Sequence, residues 1–559
     1  MKIKSLLIGM LACSVMVACT NTDEPEVDNG KDQKGDAYVT VKLSMTGNAG
    51  SRAFSDGGFV EGDPNEVAVN KAIFYFFDEN GQGCANKYEM TNTANLSWAG
   101  STTTGVDQES GAIVVIKNPI ATPTSMLVLL NCEDPTNDMR PSLAQLQAVT
   151  KNTGDLTVSD VNYHIMSNAV YVKGESVMVG TTITEDNIAT STTNKNPGDP
   201  DDDNCTPVVV SVERLWAKVG MTLPEGENGA TFTPELDNNS NEYAITAEIQ
   251  GWWLASKADK TYLVKDLSST YSGFTGTWWN DVTNKRSYWA NMPSGVNYTN
   301  DRTWAEVNGV EETEYCLENT STVIDETLYG GNGTATQYAA KAILKINDEP
   351  ETFVRWLNTI YTEADFFQMI ANAYNNYRIQ VGDALYDLNG VAMIEGQTPI
   401  STVLGWNYKG KTAYDTDAGL TGLKNYEGII TVSATEGQGL VKKVGTAEGR
   451  DIYETVTAAA IQAEIRARID KVLLWLNGQT YYYTDIIHNN DGSTPLYGVV
   501  RNHLYTLNVT GLTGMGTPVP NPELPINPER PEDDEYSHIS AEVQIFSYKK
   551  VPTQDVTLQ

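Results

Sequence analysis

The sequence is poor in the residues from which active sites are usually built. Its 559 residues include only four histidines, His164, His488, His503 and His538, and these are scattered. None belongs to an HExxH, and no GxSxG occurs, so neither a zinc protease nor a nucleophile elbow is spelled out. Cysteine is also scarce. Two of the six lie in the opening segment, and Cys84, Cys132, Cys205 and Cys316 show no CxxC and no metal spacing. Their wide separation fits buried free thiols better than a disulfide framework. Basic residues are few, with 38 Lys and Arg against 72 Asp and Glu and a formal charge of -34. Such a chain has little to offer nucleic acid, whose phosphates need Lys and Arg, and would not dock on anionic lipid by charge. No enzyme, metal or cofactor is expected from this inventory. What is present is globular in character, with 40% hydrophobic and 20% charged residues. The length calls for two or more domains.

The first residues read as an address. Lys2 and Lys4 precede an apolar segment, Leu6 through Ala18, which is too short to cross a bilayer. Ala18 stands directly before Cys19, which resembles a bacterial lipobox. Residues 1–18 are therefore expected to be a signal peptide, with lipid attached at Cys19 and more than one acyl chain making the anchor stable. Cys13 also follows an alanine, but leaves a shorter apolar run. Residues 19–36 are polar, have no apolar period, and read as a flexible tether. The acidic run Asp23, Glu24 and Glu26 resembles the surface-export signal of Bacteroidales lipoproteins.

After the tether, short alternating runs dominate. In "AYVTVKLSM" (Ala37–Met45), Val39, Val41, Leu43 and Met45 share one face of a strand. Comparable runs continue through "KAIFYFF", "SMLVLLNC", "VVVSVERLWAKV", "EYAITAEIQGWWL" and "NHLYTLNVTGL", separated by loops rich in Asn, Gly and Thr. Strands at this spacing predict β-sandwiches. Asn477-Gly478, between two apolar runs, predicts a hairpin. Three stretches carry a helical period: 142–149, 362–374 and 457–470. The polar loop at Asp199–Asn204 suggests a boundary, with one sandwich over 53–207 and another over 208–517. The proline-rich stretch from Pro518 to Pro531 cannot be a central strand. It reads as an extended arm carrying a last alternating run at Ser537–Val551, with Ile539, Ala541, Val543 and Ile545 on one face.

Other motifs have plainer readings. "GWNYKGKT" (Gly405–Thr412) matches a phosphate-binding loop literally, but no helical period follows it, so a turn between strands fits better. The run Asp201–Asp203 lacks calcium-loop spacing. The pairs Trp252-Trp253 and Trp278-Trp279 could stack on sugars, although aromatics in strands are more often core. The two ends carry the positive signal. "TGNAGSRAFSDGG" (Thr46–Gly58) is small and polar and holds one arginine, Arg52, followed by Ala53, as protease-sensitive loops do. A cut there would release the first strand and leave an open apolar groove. Another chain's last strand has the alternation to fill it, which is β-augmentation. Alternatively, both strands stay in their own domain as ordinary strands.

Taken in order, "VTVKLSM…SRAF", "SVERLWAKV", "RSYWA", "YCLENTS", "YYYTDIIHN", "GVVRNHLYTLNVTGLTGMGTPV" and "HISAEVQIFSYKKVPTQDVTL" resemble the Mfa-type fimbrillins, the major-subunit family of Bacteroidales type V fimbriae. The resemblance implies a mostly β chain of two transthyretin-like β-sandwich domains, with a few inserted helices and a C-terminal donor-strand arm over 518–559. It implies a lipidated precursor, carried to the outer membrane and the cell surface. An arginine-specific protease would then cut at Arg52-Ala53 and release residues 37–52. The acceptor groove would lie in the first domain and the donor within Ser537–Leu558. The implied partners are further copies of the chain, accessory anchor and tip subunits, and the protease. One departure is Ser547-Tyr548, where the family's donor strand ends in a Trp-containing stretch. The alternatives are a surface lipoprotein that binds glycans, or a tip or minor adhesin.

Overall fold

The computed structural model describes residues 37–44, 66, 69, 71–90, 109–155, 157–158, 163–173, 176–190, 208–224, 231–236, 243–267, 290–299, 302–321, 335–411, 422–489, 496–526 and 538–547. They form a mostly β molecule, as the alternating runs predict.

The first sandwich is built around the strand Ala72–Phe77, which pairs with Ser125–Leu130. Both strands are buried along nearly their whole length. Their even-numbered residues, such as Phe74, Phe76, Met126 and Val128, face one core. Odd-numbered Ile73, Tyr75, Leu127 and Leu129 face a second core. That second core also holds Ala258, Leu263, Leu317 and Val500 from later in the chain. It is therefore the joint between two sandwiches, sealed by apolar side chains from both. The strand Val208–Arg214 divides its partners. Val208–Ser211 run parallel to Val41–Ser44, and Val212–Arg214 pair with Met166–Asn168. This strand thus completes the first sandwich, and the chain crosses to the second at Leu215. The expected boundary at 207/208 comes one strand too early, because an apolar run shows that a strand is buried but not which sheet buries it.

The second sandwich packs two sheets over a core containing Val219, Ile249, Trp252, Tyr338, Leu344, Tyr505 and Leu507. One sheet has the order Thr313–Leu317, Trp216–Thr222, His503–Thr513, His538–Ser547. The other centres on Ile245–Ala255, Gln337–Ile346 and Gln479–Asp485. The last two are hydrogen-bonded neighbours, yet more than a hundred residues separate them in sequence. That intervening chain forms a module with its own core, including Phe366, Ile370, Trp406, Ile430, Ile461 and Leu474. Inserting it costs the sandwich little, because the insert begins and ends at adjacent strand ends. Two of the expected helices lie here. Thr362 caps Glu363–Ala373 by accepting from the Asp365 amide, with Glu363 and Asp365 in the first turn where the helix dipole favours acid. Thr457 caps Ala458–Arg466, and Ile461 and Ile465 are buried beneath it. The third, Leu143–Gln147, begins at the capping box of Ser142 and Gln145.

The expected hairpin at Asn477-Gly478 is not one. Both residues take left-handed φ values, 53° and 71°, as turn chemistry requires. The turn, however, passes from Val472–Trp475 in the inserted module to Gln479–Asp485 in the second sandwich. A side chain at Gly478 would lie 2.1 Å from the Leu344 carbonyl oxygen, so close packing against another strand fixes this position as well.

Candidate functional site

The leading strand, Ala37–Ser44, is internal. On one side it pairs antiparallel with Glu109–Ile116 along its full length. On the other side Ile188–Thr190 take Ala37–Val39, and Val208–Ser211 take Val41–Ser44. Val39 and Val41 are completely buried in the first core, beside Val114, Val208 and Val210. Each contributes about 1.5–3 kcal/mol of apolar burial. If this strand left, both flanks would lose their partners together, exposing a two-sided row of unpaired amides and carbonyls above an apolar floor. Leu43 lies in register with Val210. Met45, Cys19, Arg52 and Ala53 lie outside the described residues.

The tail strand, His538–Ser547, differs in one respect. Among the described residues it has a single hydrogen-bonded neighbour, His503–Thr513 of its own chain, and so forms the edge of that sheet. Ile545, Val543 and Ala541 stand opposite Tyr505, Leu507 and Val509, and Ile539 stands opposite Leu512 after a bulge. Those four partners are all buried in the second core. The alternating apolar row is therefore in step with the inward-facing row of its neighbour.

The stretch before it does not run free over its whole length. Thr517–Pro518 pair with Thr480–Tyr481, and Val519 N donates to Gln479 O at 3.0 Å. Ile526 N donates to Arg302 O, also at 3.0 Å. Val519 and Ile526 are buried with Trp253, Trp304 and Tyr481 on the outer face of the second sandwich. The expected arm from Pro518 onward is thus a packed segment at least to Ile526. The bulky aromatic row of an otherwise outward sheet face needs this cover.

The joint between the sandwiches carries buried charge. Lys265 donates to Glu213 at 3.0 Å, with both side chains wholly buried. Arg501 pairs with Glu318 and donates to Thr261 Oγ1 at 2.9 Å. Arg214 donates to the Glu66 carbonyl at 2.6 Å and to Asn502 at 3.2 Å. Glu66 also receives Lys218 at 2.9 Å and Tyr315. Burial pushes the Glu66 carboxyl up, but the Tyr315 and Lys218 hydrogen bonds and the Arg214 charge outweigh it and hold it below its ordinary value. These contacts join the end of Val208–Arg214 to the start of His503–Thr513. Sequence reading missed them. The one signal available was charge inside apolar runs, at Glu213-Arg214 and Arg501. Burial pushes His164 and His503 down to about 4.

The remaining candidates have structural surroundings. Trp252 and Trp253 are buried in the cores, not presented as a stacking platform; Trp278-Trp279 lie outside the described residues. Leu404–Tyr408 pair antiparallel with Glu427–Val432, and Gly410 turns with φ 81°, so the phosphate-loop match is a turn in an antiparallel sheet. Cys84, Cys132 and Cys316 are buried free thiols, and burial raises the pKa of each; Cys205 lies outside the described residues. Among the described residues, no group of three or more His, Cys, Asp or Glu could hold a metal ion.

Comparison with known proteins adds one match on sequence. Residues 474–551 fit the family described as major fimbrial subunit protein type IV, fimbrillin, C-terminal. This span covers the end of the inserted module, the strand His503–Thr513, the packed segment and the tail strand. Among solved structures, the chain is similar to a protein described as a cell adhesion protein from Parabacteroides distasonis. They share 10% identity, with 92% of this chain and 98% of that chain covered, at a TM-score of 0.38. A fimbrilin from Porphyromonas gingivalis is 12% identical, with 94% and 99% covered, at 0.34. The C-terminally truncated tip fimbrial protein of the same organism is 11% identical, with 92% and 99% covered, at 0.30. No curated protein matches the chain.

Proposed function

We propose that this chain, whose residues 474–551 belong to the fimbrillin C-terminal family, is a structural fimbrial subunit that polymerises by protease-triggered donor-strand exchange. The observation that carries the reading is the internal position of the leading strand, hydrogen-bonded on both sides over a buried floor. A strand in such a slot cannot leave without replacement, and a replacement needs the same alternation. The tail strand has that alternation, and it occupies an edge that it can leave without splitting a sheet.

In this reading Cys19 carries the lipid that holds the precursor at the outer membrane. An arginine-specific protease then cuts at Arg52-Ala53, and the leading strand departs. The tail strand of a second copy enters between Glu109–Ile116 and Val208–Arg214. Anchor and tip subunits close the two ends of the polymer, which supports adhesion and colonisation. The chain performs no chemistry of its own. A glycan-binding lipoprotein is the weaker reading, since Trp252-Trp253, one of the two Trp pairs it rests on, is core.

The test uses the full precursor and an arginine-specific protease. Wild type should give fibres by electron microscopy after cleavage, and Arg52→Ala should give none. Normal fibres from Arg52→Ala, or mature fibres that retain residues before Ala53 by mass spectrometry, would overturn the reading.

A further inference from the structure

We infer that the segment Thr517–Ile526 is a fixed anchor, and that only the chain beyond Ile526 travels when the tail strand is exchanged. This rests on the donor role proposed above.

The two halves of the expected arm are held very differently. The tail strand is held by one ladder at a sheet edge. The anchor is held along its length from several directions. Thr517–Pro518 lie in register with Tyr481 and Thr480. Pro525 forms a bridge with Thr303, and the amides of Val519 and Ile526 both donate to backbone carbonyls at 3.0 Å. Val519 and Ile526 are nearly inaccessible, and they cover Trp253, Ala339 and Tyr481. Trp304 completes the seat. Its Nε1 donates to Thr480 O at 3.2 Å, and Lys341 Nζ lies 3.9 Å above its ring centroid. The inserted module adds a further contact: Asn521 donates to Lys409 O at 3.3 Å, and a side chain at Gly410 would come within 2.4 Å of Asn521 Nδ2.

Lifting the anchor would expose Val519, Ile526 and the aromatic row beneath them while breaking its main-chain bonds. Releasing the tail strand breaks one edge ladder and uncovers one flank of the second core, and its own groups are paired again in the next copy's sheet. Separation therefore occurs after Ile526. Residues 527–537 connect the anchor to the strand. Fully extended, a chain of that length spans at most about 40 Å. The acceptor slot of the next copy must come within that distance of Ile526.

Two cross-links distinguish the anchor from the donor. Thr303→Cys with Pro525→Cys would lock the anchor to its seat across the bridge at the surface. Thr506→Cys with Gln544→Cys would lock the tail strand to its neighbour at a register pair. Each full-length precursor is oxidised, the intended pair is confirmed by peptide mapping, and the protein is cleaved with the arginine-specific protease and imaged. The anchor lock should give fibres in wild-type yield. The tail lock should give none until reductant is added. Loss of fibres on oxidising the anchor lock, restored by reductant, would show that Thr517–Ile526 must peel away and would overturn the inference. Fibres from the oxidised tail lock would instead remove the donor role itself, and the inference with it.

Discussion

The leading strand and the tail strand are written in the same alternating pattern but occupy opposite kinds of place. Ala37–Ser44 has hydrogen-bonded neighbours on both sides, and its inward residues are sealed in a core. His538–Ser547 has one neighbour among the described residues. Alternation therefore states only that one face of a strand meets a core. Whether a strand can leave without being replaced is decided by the number of neighbours, a property of the whole sheet. The difference assigns an asymmetric cost. Damage to the leading strand falls on the sandwich around it, whereas loss of the tail strand shortens a sheet by its outermost member.

The two places should differ most when one receives a buried charge and the other is removed. Val41→Asp puts a carboxylate into a completely buried position on an internal strand, where an unpaired ion cannot be hydrated. In the uncleaved chain it should destabilise the first sandwich by more than about 4 kcal/mol, read as an early separate unfolding step in near-ultraviolet circular dichroism. Deleting residues 537–559 should leave cooperative unfolding of a monomer in place while abolishing fibres. If the deletion were as destructive as Val41→Asp, the tail would be a structural strand and the asymmetry would vanish.

Acid should act on the strand that holds the tail, because that strand opens on a buried histidine. His503 opens the strand that holds the tail and stands opposite Ser547. Burial, helped by the Lys265 charge, takes its pKa to about 4, and His164 at the joint is likewise held near 4 by burial with the Arg214 and Lys218 charges beside it. A depressed folded pKa means that the unfolded chain binds the proton first. The stability from keeping these rings neutral is therefore complete above about pH 6.5 and is lost as pH falls toward 4. Each ring accounts for about 3 kcal/mol at most over that window. Urea unfolding at pH 7.5 and pH 5 should show this loss, and His503→Gln should flatten the part that belongs to the second sandwich. Equal stability at both pH values in wild type would contradict the assignment.

What could be read in the sequence was what is local. Ser142, Thr362 and Thr457 each cap a helix through an amide three residues on, so the signal and its partner lie within one turn. The alternating runs gave the strands and their inward faces. Partner choice was not legible. Asn477-Gly478 supplied the left-handed geometry of a turn, but the strands it joins belong to different sheets. Glu213 and Lys265, or Glu318 and Arg501, meet only because two sandwiches are pressed together, and nothing near either residue names the other. The inserted module was illegible for a similar reason. Its strands look like any others, and only the pairing of Gln337–Ile346 with Gln479–Asp485 reveals that the chain left a sheet and returned to it.

The smallest effect belongs to the anchor, midway between the two strands in how firmly it is held. Gly410 has φ 81°, a conformation a β-carbon disfavours, and that carbon would also fall 2.4 Å from Asn521 Nδ2. Gly410→Ala should cost about 1–2 kcal/mol, part from backbone strain and part from the collision. Asn521→Ala alone removes two exposed hydrogen bonds, one donated to Lys409 O and one accepted from the Glu523 amide, together worth about 0.5–1.5 kcal/mol. The two changes share an atom pair, so they should not add. Removing the Asn521 amide clears the space that the new methyl group needs, and the double variant should be less damaged than the sum of the singles. Amide exchange at Val519 and Ile526 should quicken in Gly410→Ala and slow again in the double variant, with no change at Val39 or Val41. Strict additivity would show that Asn521 does not press on the turn, and would leave the inserted module without a hand on the arm.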